Sequence, residues 1–503
     1  MSPRLLASVC LALPLALTAC GTTVHLTGAA TSSQSGLDLG TGLGQGQGGP
    51  STPTASGGTA TPGTPGSTAS ASAPGSGNSG SLSGPGSPSA PTTGISVPKA
   101  RGVTASTITL GIAVATGTDA LASSLGISGA GSVPTQDVVK AVVADVNKSG
   151  GVLGRKLDVY VHTFDAAKAV ANPEQTIAEI CTDFRDDHKV FAVMFDVTLP
   201  SLRQCLATMG SPLIVLNGYT IMPASAYAEH GGSFMYGPDS ITTGRLAELF
   251  VQSLMARSFT EKWNTTAGGP GALPVKLGVI HVDTPDQNAL YADYATELAK
   301  RGLKFADTVT YTQNADAALA ATQNAVLKFR ADGITHVFGA SAFFLRAAES
   351  QGYRPRYAYL PSLGTIGTDN SPSAQLKGAL TVGWSPVSDV PAAQYPGDTS
   401  AAKRCRAVMK GANLSTSNRT DIQTMFAVCD AIYSVRAALT TGQVASVAGL
   451  RQGFEALGTG FGTALTFAAL LGPNHHYGVD SVRDMAWDSQ CSCLKYTSTT
   501  NRS

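Results

Sequence analysis

Among the 503 residues, the side chains most able to do chemistry are the eight cysteines. Six lie in the part of the chain that reads as folded: Cys181, Cys205, Cys405, Cys429, Cys491 and Cys493. An even number in a chain with an export signal points to disulfides, and sequence alone does not fix the pairing. Cys181 with Cys205 and Cys405 with Cys429 are the expected pairs, because each closes a loop between neighbouring elements. Cys491 and Cys493 are then left as a strained short bridge or as free thiols. A zinc site on Cys491 and Cys493 with the nearby His475 and His476 lacks four ligands at zinc spacing, so no metal is expected. The nearest approach to a nucleophile elbow runs from Gly339 through Ser341 to Phe343, and it lacks the second glycine that the tight turn needs. Neither a phosphate-binding glycine loop with lysine nor a His-Glu metal motif is present. The residues therefore point to binding, with no enzyme activity and no cofactor.

The N-terminus carries Arg4, the apolar run LLASVCLALPLAL, and then Leu17, Thr18, Ala19 and Cys20. That is the layout of a secretory signal, too short to span a bilayer comfortably. LTAC before Gly21 resembles the bacterial lipoprotein box, which makes Cys20 the expected lipidated first residue and leaves Cys10 in the discarded segment. Residues 21–100 are nearly all Gly, Ser, Thr, Pro and Ala. Such a segment has too little apolar surface to offset chain entropy and is expected to be a disordered tether with a reach of roughly 50 Å. Net charge is +1 with no basic cluster, which argues against nucleic acid as a partner. No later apolar run is long enough to cross a membrane, so attachment falls to Cys20.

The remaining residues exceed what one hydrophobic core usually holds, so two lobes are expected. TITLGIAV (107–114) reads as a strand with Ile108, Leu110, Ile112 and Val114 on one face. Val138, Val139, Val142, Val143 and Val146 recur at helical spacing. LDVYVHTF, VFAVMF and PLIVLN follow as strands, separated by helices through Pro173 to Phe184 and near Leu202 to Met209. The alternation then restarts: a helix from Ser240 to Ala256, VKLGVIHV, a helix over Ala289 to Arg301, FADTVTY, a helix to Arg330, THVFGA, another helix and YAYLP. Right-handed crossovers turn each succession into a doubly wound parallel sheet. In such α/β sheets ligands meet the carboxyl ends of strands, where helix N-termini offer unpaired N–H groups.

Between the first helix and the second strand runs VNKSGGVLGRKLDVYVHTFD. Asn147, Gly150, Gly151, Val152, Leu153, Gly154, Arg155 and Lys156 resemble the segment that solute-binding proteins of the branched-chain amino acid transport type carry at this place. TITLGIAV, GSFMYGPDSITTGRLAEL, VKLGVIHV, GALTVGW and CDAIYSVRAAL keep the same order, so the similarity spans roughly Arg101 to Tyr496. The resemblance implies a type I periplasmic-binding fold of two α/β lobes joined by three crossing segments. Lobe one would be 101–240 with 387–470, and lobe two 241–386 with 471–496. The glycine-rich stretch itself is expected to be scaffold.

The resemblance also implies a ligand set. Relatives hold an amino acid's carboxylate in the loops after the third and fourth strands of lobe one, here FDVTLPS and LNGYT, which nominates Asp196, Thr198, Asn217 and Tyr219. The Gly-Pro and serines usual after the third strand are replaced by an aspartate, so a ligand with an amine, a polyol or an amide fits no worse than an α-carboxylate. In lobe two, Asp283, Thr284 and Asp286 replace the usual tyrosine and glycine, and Ser341 is the only polar residue of GASAFF. Thr116, Thr118 and Asp119 reach the cleft from the first loop. Asp196, Asp286 and Ser341 serve equally well as N-caps. Tyr219 can simply cover the edge of the lobe, His281 reads as a satisfied core histidine, and His475 with His476 as a turn. The implied function is capture of a small polar solute by a monomer and its delivery to an ABC permease and its ATPase. A surface-tethered sensor that signals to a partner protein is the second reading. A neighbouring permease or a neighbouring sensor kinase in the operon separates the two.

Overall fold

A computed structural model describes residues 100–118, 120, 133–195, 200–216, 220–228, 233–312, 315–359, 371–415 and 417–503. The signal and tether expected at 1–20 and 21–100 lie outside them, apart from Ala100. None of the described helices is long and apolar enough to cross a membrane.

The first sheet is built from β1 (Thr107–Thr116), β2 (Lys156–Asp165), β3 (Ala192–Phe195), β4 (Leu213–Val215) and β6 (Met235–Tyr236), in the order β2-β1-β3-β4-β6, all parallel. Ile108, Leu110, Ile112 and Val114 do share one face. They pack on Val138, Val139, Val142 and Val146 of α1 (Thr135–Lys148). Ala113 faces the other way, joining Ile177 and Ile180 of α3 (Pro173–Thr182) and Leu202 and Leu206 of α4 (Pro200–Met209). A short helix, α2 (Ala166–Ala171), links β2 to α3. The helix expected to reach Phe184 stops at Thr182 and widens into a π turn over Asp183–Asp187. Covering both faces explains why the inner strands are almost continuously apolar.

Two short parallel strands, β5 (Ile221–Met222) and β7 (Ile241–Thr242), flank the first passage out of this lobe. A second lobe follows with α5 (Thr243–Ala256), a small hairpin of β8 (Trp263–Asn264) and β9 (Gly269–Pro270), β10 (Leu277–Val282), α6 (Pro285–Ala299), β11 (Phe305–Tyr311), α7 (Ala315–Ala331), β12 (His336–Phe338), α8 (Ala342–Ser350), β13 (Arg356–Ala358) and β14 (Leu380–Gly383). Its seven-stranded sheet runs β11-β10-β12-β13-β14-β15-β16. The first five strands are parallel. β15 (Arg483–Asp488) and β16 (Cys493–Tyr496) add on as antiparallel strands, with β16 at the edge. β16 is not foreseen in the sequence, because CLKY is too short to show alternation.

Between β14 and β15 the chain returns to the first lobe. There α9 (Ser400–Gly411), α10 (Arg419–Gly442) and α11 (Val447–Leu457) cover α1 and the first sheet, with Phe426, Ile432, Val435, Leu450 and Phe454 in the same core as Ile108. Asp145 of α1 ties the layers together by accepting from Tyr433 Oη (2.7 Å) and Arg404 Nη2 (3.0 Å). The disulfide Cys405–Cys429 joins α9 to α10, and Cys181–Cys205 joins α3 to α4. Cys491 and Cys493 stand bonded across two residues, the short bridge of the two alternatives.

The glycine-rich stretch is a tight joint. Gly150 and Gly151 both take positive φ, 92° and 73°, and Gly154 follows at 74°. A Cβ on Gly151 would sit 2.0 Å from Arg155 O, so no side chain fits there. Asn147 clamps the following strand, its Nδ2 donating to Leu157 O (2.8 Å) and its Oδ1 accepting from Leu157 N (2.7 Å). The segment thereby sets where β2 begins.

Candidate functional site

Successive strands that end at one edge of each parallel sheet leave their following loops and helix N-termini together. In the second lobe those are the ends of β10 and β12. Thr284, buried, is the N-cap of α6 and accepts from Gln287 N. Asp286 is therefore not the cap but stands in the first turn beside it. Asp283 is exposed and accepts from Asn288 Nδ2 at 2.9 Å. Ser341 caps α8, accepting from Phe344 N. Thr284 and Ser341 thus spend their oxygens on helix ends, the plainer of their two roles.

Asp286 is different, because it is half-buried and feels a charge from the first lobe. Burial pushes its carboxyl up to about 6, partly opposed by the positive charge of Arg203. Arg203 belongs to the first turn of α4 in the other lobe. A cation at a helix N-terminus opposes the helix dipole, so its placement needs another reason. The facing carboxylate supplies one. Tyr227, on a 3-10 turn of the first lobe, lies within the same electrostatic reach. Burial raises its phenol, the neighbouring Ser240 opposes that, and Asp286 and Tyr477 add to it. Asp286 of one lobe and Arg203 and Tyr227 of the other are therefore close enough to influence one another electrostatically.

His281 is buried, its Nδ1 beside Val282 O (2.9 Å) and its ring stacked on Tyr291 at 4.5 Å. Burial lowers its pKa, so it stays a neutral core group, as the sequence suggests. Gly339, after β12, has φ +75°, and a Cβ there would lie 2.1 Å from Ile280 O and 2.5 Å from Tyr291 Oη. Gly339→Ala is expected to cost at least about 2 kcal/mol, read as a fall in the urea midpoint; an unmoved midpoint would show that the turn tolerates a side chain.

In the first lobe, Thr116 donates its hydroxyl to Phe164 O (3.0 Å) and is exposed, as is Thr118. Asp119, Asp196, Thr198, Asn217 and Tyr219 lie outside the described residues. Arg203 and Tyr227 are not among the residues nominated from the sequence. The only signal for Arg203 was its unfavourable position in LPSLRQC; nothing in ASAYAE marks Tyr227. His475 does form a turn with Gly472, and His476 Nδ1 lies 3.0 Å from Tyr227 O. No group of three metal-ligating side chains occurs among the described residues.

Residues 116–490 match the model of a family described as periplasmic binding protein, three-quarters of the chain. The chain belongs to that family. Periplasmic binding proteins of type I are also its structural neighbours. An ABC transporter substrate-binding protein from Desulfitobacterium hafniense, in complex with Leu, aligns at 17% identity over 78% of this chain and 99% of that one, with a TM-score of 0.51. A branched-chain amino acid ABC transporter protein from Thermus thermophilus with bound valine gives 12%, 79%, 96% and 0.55 for the same measures. A solute-binding protein from Rhodopseudomonas palustris BisB5 with 3,4-dihydroxy benzoic acid gives 13%, 79%, 97% and 0.53. At these identities the likeness shows the type I periplasmic-binding fold. No curated protein matches the chain.

Proposed function

We propose that this periplasmic binding protein captures a small polar solute, an amino acid or related compound, between its two lobes and delivers it to an ABC permease. The observation that carries the reading is that Asp286, half-buried in the first turn of α6, feels the positive charge of Arg203 on α4 of the other lobe. A zwitterion fits that pair: an anionic group toward the guanidinium, a cationic group toward the carboxylate. Such a ligand bridges both lobes and stabilises the closed form by its differential affinity. The lobes proposed are 101–240 with 387–470 and 241–386 with 471–496. Strand placement supports them, since the first sheet draws on 107–236 and the second on 277–383 and 483–496. Cleavage before Cys20, its lipidation, the flexible tether of 21–100 and an extracytoplasmic site complete the proposal, resting on LTAC and on the composition that follows it.

The test is thermal unfolding against a panel of amino acids, amides, polyamines, sugars and aromatic acids. At least one zwitterionic compound is expected to raise the melting temperature by mass action. A panel without any shift would contradict the reading. The pH dependence follows from Asp286. Its carboxyl is ionised above about 6 and protonated below. The affinity of a ligand carrying an amine should fall as pH drops from 7 to 5, approaching tenfold for each unit below the pKa. Calorimetric titration at pH 7, 6 and 5 checks this, and Asp286→Asn should flatten the profile.

A further inference from the structure

The three disulfides differ in what they hold. Cys181–Cys205 and Cys405–Cys429 each span 24 residues and cross-link separate helices. Cys405 and Cys429 are buried, as is Cys181. A bridge across a long loop limits the unfolded chain most, and buried sulfurs are out of reach of an attacking thiol. Cys491–Cys493 spans two residues and so limits the unfolded chain least. It crosses the turn between the antiparallel strands β15 and β16, and that hairpin has its own supports. Asp488 pairs with Cys493, Trp487 with Leu494, Ala486 with Lys495 and Met485 with Tyr496. Asp488 Oδ1 accepts from Gln490 N (2.8 Å) and Cys491 N (3.2 Å), and its Oδ2 from Lys495 Nζ (2.8 Å).

Closing so small a ring has a conformational cost. Ser492, between the two cysteines, takes φ 50°, in the left-handed region that a residue with a Cβ adopts at some expense. The sulfurs are also unequal in access: Cys491 is exposed, whereas Cys493 is buried at 6% exposure. A bridge that adds little to the fold, strains its own backbone and offers one open sulfur has the features of a labile, exchanging disulfide.

We propose that Cys491–Cys493 is a redox-active exchange site for low-molecular-weight thiols, with Cys491 as the sulfur attacked. A thiolate forms a bond to Cys491 Sγ, the Cys491–Cys493 bond breaks, and Cys493 leaves as a thiolate that takes up a proton. A second thiolate attacks the external sulfur of the mixed disulfide, and Cys491 leaves as a thiolate. Two thiols are thereby oxidised to one disulfide while the protein gains a dithiol. Run backwards, the same steps oxidise the dithiol at the expense of a small disulfide.

The experiment uses the full folded protein in buffers of reduced and oxidised glutathione, quenched with an alkylating reagent and read by peptide mass spectrometry. The C-terminal pair is expected to become alkylated at a reduced-to-oxidised ratio at least about tenfold lower than Cys181–Cys205 or Cys405–Cys429 require. Cys493→Ser should accumulate glutathione on Cys491, whereas Cys491→Ser should leave Cys493 largely unmodified, because it is shielded. The proposal is overturned if the C-terminal pair stays oxidised until the other two open, or if Cys493 takes the adduct as readily as Cys491. Circular dichroism of both variants, expected to match the parent, separates loss of reactivity from loss of fold. Neither outcome bears on solute capture.

Discussion

Replacing Asp239 by asparagine is expected to raise stability at pH 7 to 8 and to change it little at pH 4. Asp239 lies where the first passage leaves the β1 lobe, and it is 1% exposed. The passage is fixed by backbone pairing with the returning chain: Gly237 N donates to His476 O, Gly478 N to Gly237 O and Val479 N to Ser240 O. Beside Asp239 stands Asp430 of α10, also buried, whose carboxylate accepts from Ala464 N (2.7 Å) and Leu465 N (2.9 Å). No N–H among the described residues donates to either Asp239 oxygen. Asp239 therefore keeps its proton beside the hydrogen-bonded Asp430, because two adjacent buried carboxyls cannot both ionise cheaply.

The sign follows. Burial first, and then the charge of Asp430, push the Asp239 carboxyl well above the ordinary carboxylate range; burial also takes Asp430 up to about 7. The unfolded chain releases these protons near pH 4, the folded chain only at higher pH. Between those limits the folded state binds more protons, so stability falls as pH rises, by at most about 1.4 kcal/mol per unit for one group. Asparagine is of nearly the same shape and stays neutral at every pH. Asp239→Asn should thus gain stability at pH 7, read as a higher melting temperature, and the gain should vanish by pH 4. A gain equal at both pH values would mean that the effect is packing and not the proton.

Asp239 also shows where sequence reading stops. GPDS looks like any turn, and its burial depends on α10 arriving almost two hundred residues later. The scaffold is local and so was readable: alternation in TITLGIAV, valines at helical spacing in α1, and the glycines that end α1 and start β2 each follow from neighbours in the chain. The disulfides of α3 with α4 and of α9 with α10 were legible for the same reason, since each joins adjacent elements. The candidate site was legible only in part. Thr284 and Ser341 are nominated as ligand groups by the sequence and serve as caps, while Asp286, equally suited to capping by its sequence position, is left free of that task. Its partner Arg203 comes from the other lobe, and no spacing rule links residues 83 positions apart.

Removing that pair is the second large effect expected. Arg203→Ala leaves Asp286 facing a buried region without its compensating charge, and Asp286→Ala does the converse. Truncating a charged group that a bound ligand desolvates typically costs about 2 to 5 kcal/mol, so each variant should weaken solute binding by roughly a hundredfold. The two losses should be non-additive, because one bound zwitterion touches both charges. Apo stability gives the control. Asp286→Ala should gain stability above pH 6, where the parent carboxyl is ionised at a burial cost, and Arg203→Ala should lose it. Binding that survives both substitutions would move the cleft elsewhere in the molecule.

Native mass spectrometry of the protein purified from its own host bears most directly on solute capture between the lobes. The parent is expected to carry a single small-molecule adduct that gentle activation releases, and the Arg203→Ala, Asp286→Ala double variant to appear only at the mass expected for the parent after that release, corrected for the two substitutions. An adduct held equally by both proteins, or by neither after refolding in host extract, would contradict capture at this site.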